Sequence, residues 1–177
     1  MGRADHRKAI LGSAEYVRFD NLCIDYYYAA MMSTSLQTRG ERNNNPGNID
    51  RNATKWKGMS PDQSGDSRFV VFTSPVYGIR ALARNLLSYS RLYPQDTPQD
   101  IDTVREIINR WAPPVENDTG AYVNAVAKNC GVKPDDAIDV ADEAVMAALV
   151  TAIIRHENGR VSYSAELIAD GVAMALA

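Results

Sequence analysis

Cysteine is scarce: Cys23 and Cys130 are the two in 177 residues, far apart and in unlike contexts. That argues against a disulfide framework. With only His6 and His156 to help, it also argues against a structural zinc site, so no metal and no cofactor is expected. A basic excess is missing too, Lys+Arg being 19 against Asp+Glu 22 for a net charge of −3. A dedicated nucleic-acid binder usually carries the opposite balance, so no nucleic-acid partner is expected. Charge breaks every apolar stretch before bilayer length, which removes a transmembrane helix and a membrane partner from the expectations. The early basic residues Arg3, Arg7 and Lys8 are not followed by a signal-peptide core, because Glu15, Arg18, Asp20 and Asp25 interrupt it. Action outside the cytoplasm then needs delivery by other means. No GxSxG and no Walker or dinucleotide glycine pattern occurs. Cys130 sits on an apolar helical face, the setting of an inert buried thiol.

What is present suits one soluble domain with an appendage: 45% hydrophobic and 23% charged residues. Its focus is the stretch from Arg39 to Asp50, with Asn43-Asn44-Asn45-Pro46-Gly47-Asn48 inside it. That stretch reads as a loop, too polar for core and too rich in Asn, Pro and Gly for helix. Pro46 and Gly47 suit positions i+1 and i+2 of a type II turn, with positive φ at Gly47. The amides form a surface suited to a sugar or a peptide.

Residues 1–38 read as an N-terminal leader of unclear role, with a short helix over 14–32. Residues 39–177 form the domain. Arg68-Phe69-Val70-Val71-Phe72 has the composition of a strand, paired with the neighbourhood of Ile49 in a short hairpin. Ser74-Pro75 opens a helix as N-cap and first turn, and Pro94 to Pro98 is a linker. A second helix carries Val104, Ile107, Ile108 and Trp111 and stops at Pro113-Pro114. Thr119 is an N-cap candidate for a third, closed by Gly131. A fourth runs from Val140 to Glu157, and a fifth starts near Ser164. The fold class is α+β, mostly helical, with about five helices and a short β-hairpin.

Carboxylate acid/base chemistry is what the residue types leave open. Positions 146, 149, 150, 153 and 157 share one helical side, so Glu157 continues the stripe of Met146, Leu149, Val150 and Ile153. Partial burial and the helix C-terminus are both expected to raise its pKa, as a general acid for glycosidic cleavage requires. The alternative is a solvated last-turn residue or a hydrogen bond to the Asn-rich loop. Glu41 is a competing candidate, but Arg39 and Arg42 flank it and suit it to a salt bridge. Glu116, between Pro114 and Asn117, is the third, with helix capping as its alternative. Asp50, Asp62 and Asp66 are open candidates for a second carboxylate. Among aromatic residues able to lie against a pyranose ring, Trp56 and Tyr122 read as the least core-like, both lying near polar loops.

Four separated motifs carry a resemblance. They are Arg39 to Ile49, Phe69 to Ala81 (FVVFTSPVYGIRA), Trp111 to Thr119 (WAPPVENDT) and Ile153 to Gly159 (IIRHENG). Together they resemble a family of phage and prophage virion structural proteins with a lysozyme-like, peptidoglycan-degrading domain. The likeness covers about residues 39–176. A more distant similarity is to bacterial cell-wall N-acetylglucosaminidases, whose Asn-rich loop, Trp-x-Gly, aromatic strand and Thr-Asp-Pro-x-Tyr turn occur in that order. Asn44 to Ile49, Trp56 to Gly58, Phe69 to Ser74 and Thr119 to Tyr122 follow it here. In those enzymes the catalytic glutamate lies upstream of the Asn loop, where this chain has only Glu41, too near the loop. The resemblance therefore implies a lysozyme-like domain, circularly permuted, with Glu157 as acid. Asn44, Asn45, Asn48, Trp56, Asn117, Tyr122 and Asn158 are its implied substrate contacts. The implied function is cleavage of peptidoglycan glycan strands by a lytic transglycosylase, muramidase or glucosaminidase. The implied location is the virion or the host cell envelope, reached without a signal peptide, with other virion proteins as partners. The competing function is a non-catalytic virion structural or cell-wall-binding protein on the same scaffold.

Overall fold

The computed structural model describes residues 37–92, 101–113 and 119–177. The proposed helix over 14–32, the Pro94–Pro98 linker, Glu116 and Asn117 lie outside the described residues. Thr38–Ala177 is one compact unit. Its described helices are α1 (Arg39–Arg42), α2 (Pro75–Leu92), α3 (Val104–Trp111), α4 (Thr119–Cys130), α5 (Glu143–Asn158) and α6 (Ala165–Leu176). Among the described residues none is long and apolar enough to cross a membrane.

The long helices start and stop where local chemistry directs. Pro75 opens α2. The Asp142 carboxylate accepts from the backbone N–H groups of Ala144 and Val145, capping α5. Gly159, at φ 70°, closes α5 in the left-handed conformation. Ser164 caps α6 through the Leu167 N–H. The core gathers Ile79, Leu82 and Leu86 of α2, Ile107 and Ile108 of α3, and Met146, Leu149, Val150 and Ile153 of α5, all fully buried. Burying side chains of this size contributes about 1.5–3 kcal/mol each. It also sets the face on which α5 ends.

Two expectations for the Asn-rich stretch need correction. Its first residues are helical: α1 is a single turn held by a reciprocal capping box. Thr38 Oγ1 accepts from the Glu41 N–H, and the Thr38 N–H donates to Glu41 Oε2 at 2.7 Å. The positive φ values fall on Asn44 (52°) and Asn48 (49°) rather than on Gly47. Asparagine tolerates that region because its short amide bonds locally.

The 68–72 strand is also corrected. It reduces to isolated antiparallel bridges, Asp50 with Phe69 and Met59 with Phe72. Two backbone bonds hold it to 49–51, Val70 N–H to Ile49 O and Arg51 N–H to Arg68 O. Side chains do much of what a neighbouring strand would do. Gln63 Oε1 accepts from the Val71 N–H, Asp66 Oδ1 from the Phe69 N–H, and Asn45 Nδ2 donates to the Val70 carbonyl. The extended segment is thus satisfied without a ladder. Gly78 lets α2 press against the Asn-rich stretch: a Cβ there would stand 1.9 Å from the Asn44 carbonyl oxygen.

Candidate functional site

The last turn of α5 delivers Glu157, half-buried, to the meeting point of three other segments. Asn48 Nδ2 donates to Glu157 Oε2 at 3.2 Å. Trp111 Nε1, from the end of α3, donates to Oε1 at 3.4 Å. The Tyr122 hydroxyl, from α4, donates to the same oxygen at 3.4 Å. The carboxylate is therefore surrounded by three neutral donors and touches no cation among these partners. Burial, then the charge of Glu157, pushes the Tyr122 phenol far above its ordinary range, so it stays a protonated donor.

Tyr122 is itself core. It is only 1% exposed, against the expectation that it lies loosely near polar loops. Its first turn, Thr119–Tyr122, packs inward because Thr119 is buried, with its hydroxyl donating to the Ala112 carbonyl. The ring is covered on one face by His156, whose ring lies parallel at 3.5 Å. His156 itself is exposed. Stacking thus caps the tyrosine with the residue beside Glu157, and both members of the pair hold the carboxylate's surroundings.

Asn158 anchors the loop to the same helix end. Its Nδ2 donates to the Pro46 and Ile154 carbonyls at 2.8 and 3.0 Å, and its Oδ1 accepts from Thr38 Oγ1 at 2.6 Å. Gly40 makes that approach possible, since a Cβ there would sit 2.7 Å from Asn158 Oδ1. Asn158 thus spends its amide on protein partners at this helix end.

Asn45 is engaged within the protein in the same way. It is fully buried, its Nδ2 donating to the Ile49 and Val70 carbonyls and its Oδ1 accepting from the Ile49 N–H. Asn44 donates to the Phe72 carbonyl at 3.0 Å. Of the asparagines expected to meet a ligand in this loop, Asn48 is the one that reaches the glutamate. Trp56 is half-buried and packs against the core.

Glu41 has an opposite environment. Arg160 grips it with two bonds, Nε to Oε1 at 2.9 Å and Nη2 to Oε2 at 2.7 Å. The Ser162 hydroxyl and the Thr38 N–H add two more donors. The Arg160 bonds, with Ser162 and Thr38 behind them, hold its pKa down at about 2. The salt-bridge partner is Arg160, not the flanking Arg39, which turns to Asp66 with two bonds of 2.6 Å. That guanidinium keeps Asp66 far below the carboxylate range. Asp66 is thereby committed to structure. Asp50 is exposed and paired with Arg68 at 2.7 Å. Burial raises the Cys130 thiol, which suits an inert side chain.

The sequence singles out neither Trp111 nor His156 as a neighbour of Glu157. Trp111 stands at the last position of a helix stopped by proline, a place where a large side chain is free to turn toward a neighbour. Among the described residues, no group of three or more His, Cys, Asp or Glu gathers as a metal site.

These features describe a mostly helical protein in which an asparagine, a tryptophan and a tyrosine hold a half-buried glutamate. No family model matches the chain. Protein P5 of Pseudoalteromonas phage PM2 is 37% identical over 147 residues, covering 80% of this chain and 86% of that protein. The chain belongs to the family of this phage protein.

Proposed function

We propose that the protein is a virion-associated enzyme that cuts the glycan strands of peptidoglycan, with Glu157 as its acid and base. The observation that carries the reading is the convergence of Asn48, Trp111 and Tyr122 on the Glu157 carboxylate. Arginines engage Glu41 and Asp66, whereas the donors to Glu157 are all neutral. A protonated Glu157 would give its proton to the glycosidic oxygen as the C1–O bond breaks. The resulting carboxylate would then take the proton of the sugar's own 6-hydroxyl, whose oxygen closes on C1 as a 1,6-anhydro ring. One carboxylate suffices for that course, whereas hydrolysis usually uses two. Membership of a phage protein family supports delivery with the virion and partners within it.

The test is digestion of purified peptidoglycan, with mass analysis of the released muropeptides. Anhydro ends support the transglycosylase and reducing ends a hydrolase. No release by the folded protein sinks both.

One observation favours a non-catalytic reading. The three donors to Glu157 come from three separate segments, so the carboxylate also works as a clamp joining them. A virion structural or wall-binding protein needs nothing more of it, and fold alone does not decide function. That reading requires sedimentation with insoluble peptidoglycan or with virion proteins and no release of soluble fragments.

A further inference from the structure

A groove of about 410 Å³ lies between the 49–56 loop and α2, with Trp111 in its lining. Its size is that of a small-molecule site. Asn52, Thr54, Asn85 and Ser88 supply amides and hydroxyls to it, and Trp56 and Trp111 supply aromatic rings. Asp50 is the charged residue of the lining and is already paired with Arg68.

That chemistry narrows the occupant. A phosphate or carboxylate ligand needs a cation in the wall, and the lining contains none. A lipid chain needs walls without amides. Neutral hydroxyl and amide groups beside aromatic carbon are what a saccharide uses, through its hydroxyls and through its C–H face. Trp56 fits that role because its Nε1 is buried, with no partner among the described residues, so the part it exposes is ring carbon. Ser88 donates to the Asn85 carbonyl at 2.6 Å, leaving its oxygen free to accept. The half-buried Asn85 side chain has no protein partner among the described residues.

We infer that this groove is a binding subsite for a neutral N-acetylhexosamine unit, joined to Glu157 through Trp111. Trp111 lines the groove while its Nε1 donates to Glu157, so a sugar against the indole sits next to the carboxylate's own support. The choice of a cell-wall glycan as the natural ligand rests on the proposed function; the lining chemistry stands without it. The subsite also moves the expected contacts away from Asn44, Asn45 and Asn158 and onto α2.

The probe is the β-1,4-linked tetramer of N-acetylglucosamine, titrated into the full chain carrying Glu157→Gln and followed by NMR. The chain has two tryptophans, so its indole N–H signals report the groove directly. Both should shift saturably. Asn85→Ala and Thr54→Ala should each weaken binding about fivefold, the worth of one neutral hydrogen bond. Asn129→Ala, on the exposed face of α4, should leave it unchanged. Absence of saturable indole shifts in the folded protein overturns the subsite, as does unchanged affinity in both groove variants. Wall digestion by the native chain is run in parallel. Binding without digestion keeps the subsite and removes the enzyme, whereas digestion without groove binding does the reverse.

Discussion

Glu41 and Glu157 lie on either side of the same loop, and their surroundings are opposite in kind. Glu41 accepts from a guanidinium at 2.7 and 2.9 Å, a hydroxyl and a backbone N–H, and its side chain is 6% exposed. Glu157 accepts from three neutral donors at 3.2 to 3.4 Å. Charge-assisted, bidentate bonds fix an anion permanently, which suits a carboxylate that holds structure. Longer bonds from neutral groups orient a carboxyl while leaving it able to exchange a proton. The lesson is that proximity to the Asn-rich loop does not select the acid. What each carboxylate is already bound to fixes Glu41 as a structural anion and, under the proposed function, suits Glu157 to be the acid.

The sharpest way to break the contrast is to remove the ionisable oxygen from each in turn. Glu157→Gln should lower peptidoglycan release by about 10²–10⁴-fold, the usual worth of a positioned acid or base. Its melting temperature should fall by no more than a few degrees, since the Gln carbonyl can still accept from Trp111 and Tyr122 while its NH2 replaces the oxygen that accepts from Asn48, a loss of about one neutral hydrogen bond. Full release by this variant would remove Glu157 from the chemistry.

Glu41→Gln should give the reverse pattern. Arg160 would lose a bidentate partner and Thr38 its reciprocal cap, for about 1–3 kcal/mol of stability. Release per folded molecule should be kept. Denaturant melts beside activity normalised to folded protein would check both halves. Loss of activity at unchanged stability would exchange the roles of the two glutamates.

Acid should expose the same difference. The Glu41 carboxyl sits at about 2 in the folded protein against an ordinary 4.5. At neutral pH it is ionised both folded and unfolded, and its full contribution is present. Below about pH 4.5 the unfolded chain takes up a proton that the folded protein refuses, so stability falls until about pH 2. Asp66, held down by Arg39, extends the loss further toward low pH. Melting temperature against pH should therefore fall through this window, and Glu41→Gln should flatten its upper part. An equal slope in the variant would mean that the Arg160 pair contributes nothing.

The helices were legible because their punctuation is local: Ser74-Pro75, Pro113, Gly131, Gly159 and Ser164 each act within a few residues. The stripe ending at Glu157 was legible for the same reason, periodicity being a property of one helix. The α1 turn was misread although its signature is present. Thr38 and Glu41 have capping-box spacing, but Thr38 had been divided from the domain and the Asn-Pro-Gly composition outweighed it. The partners of the asparagines are not legible in the sequence, for a deeper reason. A buried amide that satisfies backbone carbonyls and an exposed amide that awaits a ligand look alike in sequence. Asn45 and Asn48 differ only through where Ile49, Val70 and Glu157 end up. The donors to Glu157 from Trp111 and Tyr122 cross 46 and 35 residues, distances over which no local pattern speaks.

The smallest effect separates the two sides of Tyr122. Its hydroxyl serves Glu157, while its ring is roofed by His156 at 3.5 Å and 7°. If the roof keeps the hydroxyl aimed, His156→Ala should cost about 0.5–1.5 kcal/mol, the worth of an aromatic pair. That is a drop of a few degrees in melting temperature for a domain of this size. Release of peptidoglycan fragments should fall severalfold at the same time, because the Tyr122 donor loses its fixed direction. His156→Phe should restore both, since a phenyl ring stacks as an imidazole does and carries no proton to transfer. Activity lost in both variants, with stability restored only in the Phe variant, would instead give the imidazole a part in the proton transfer. It would also end the description of Glu157 as a carboxyl served by neutral donors alone.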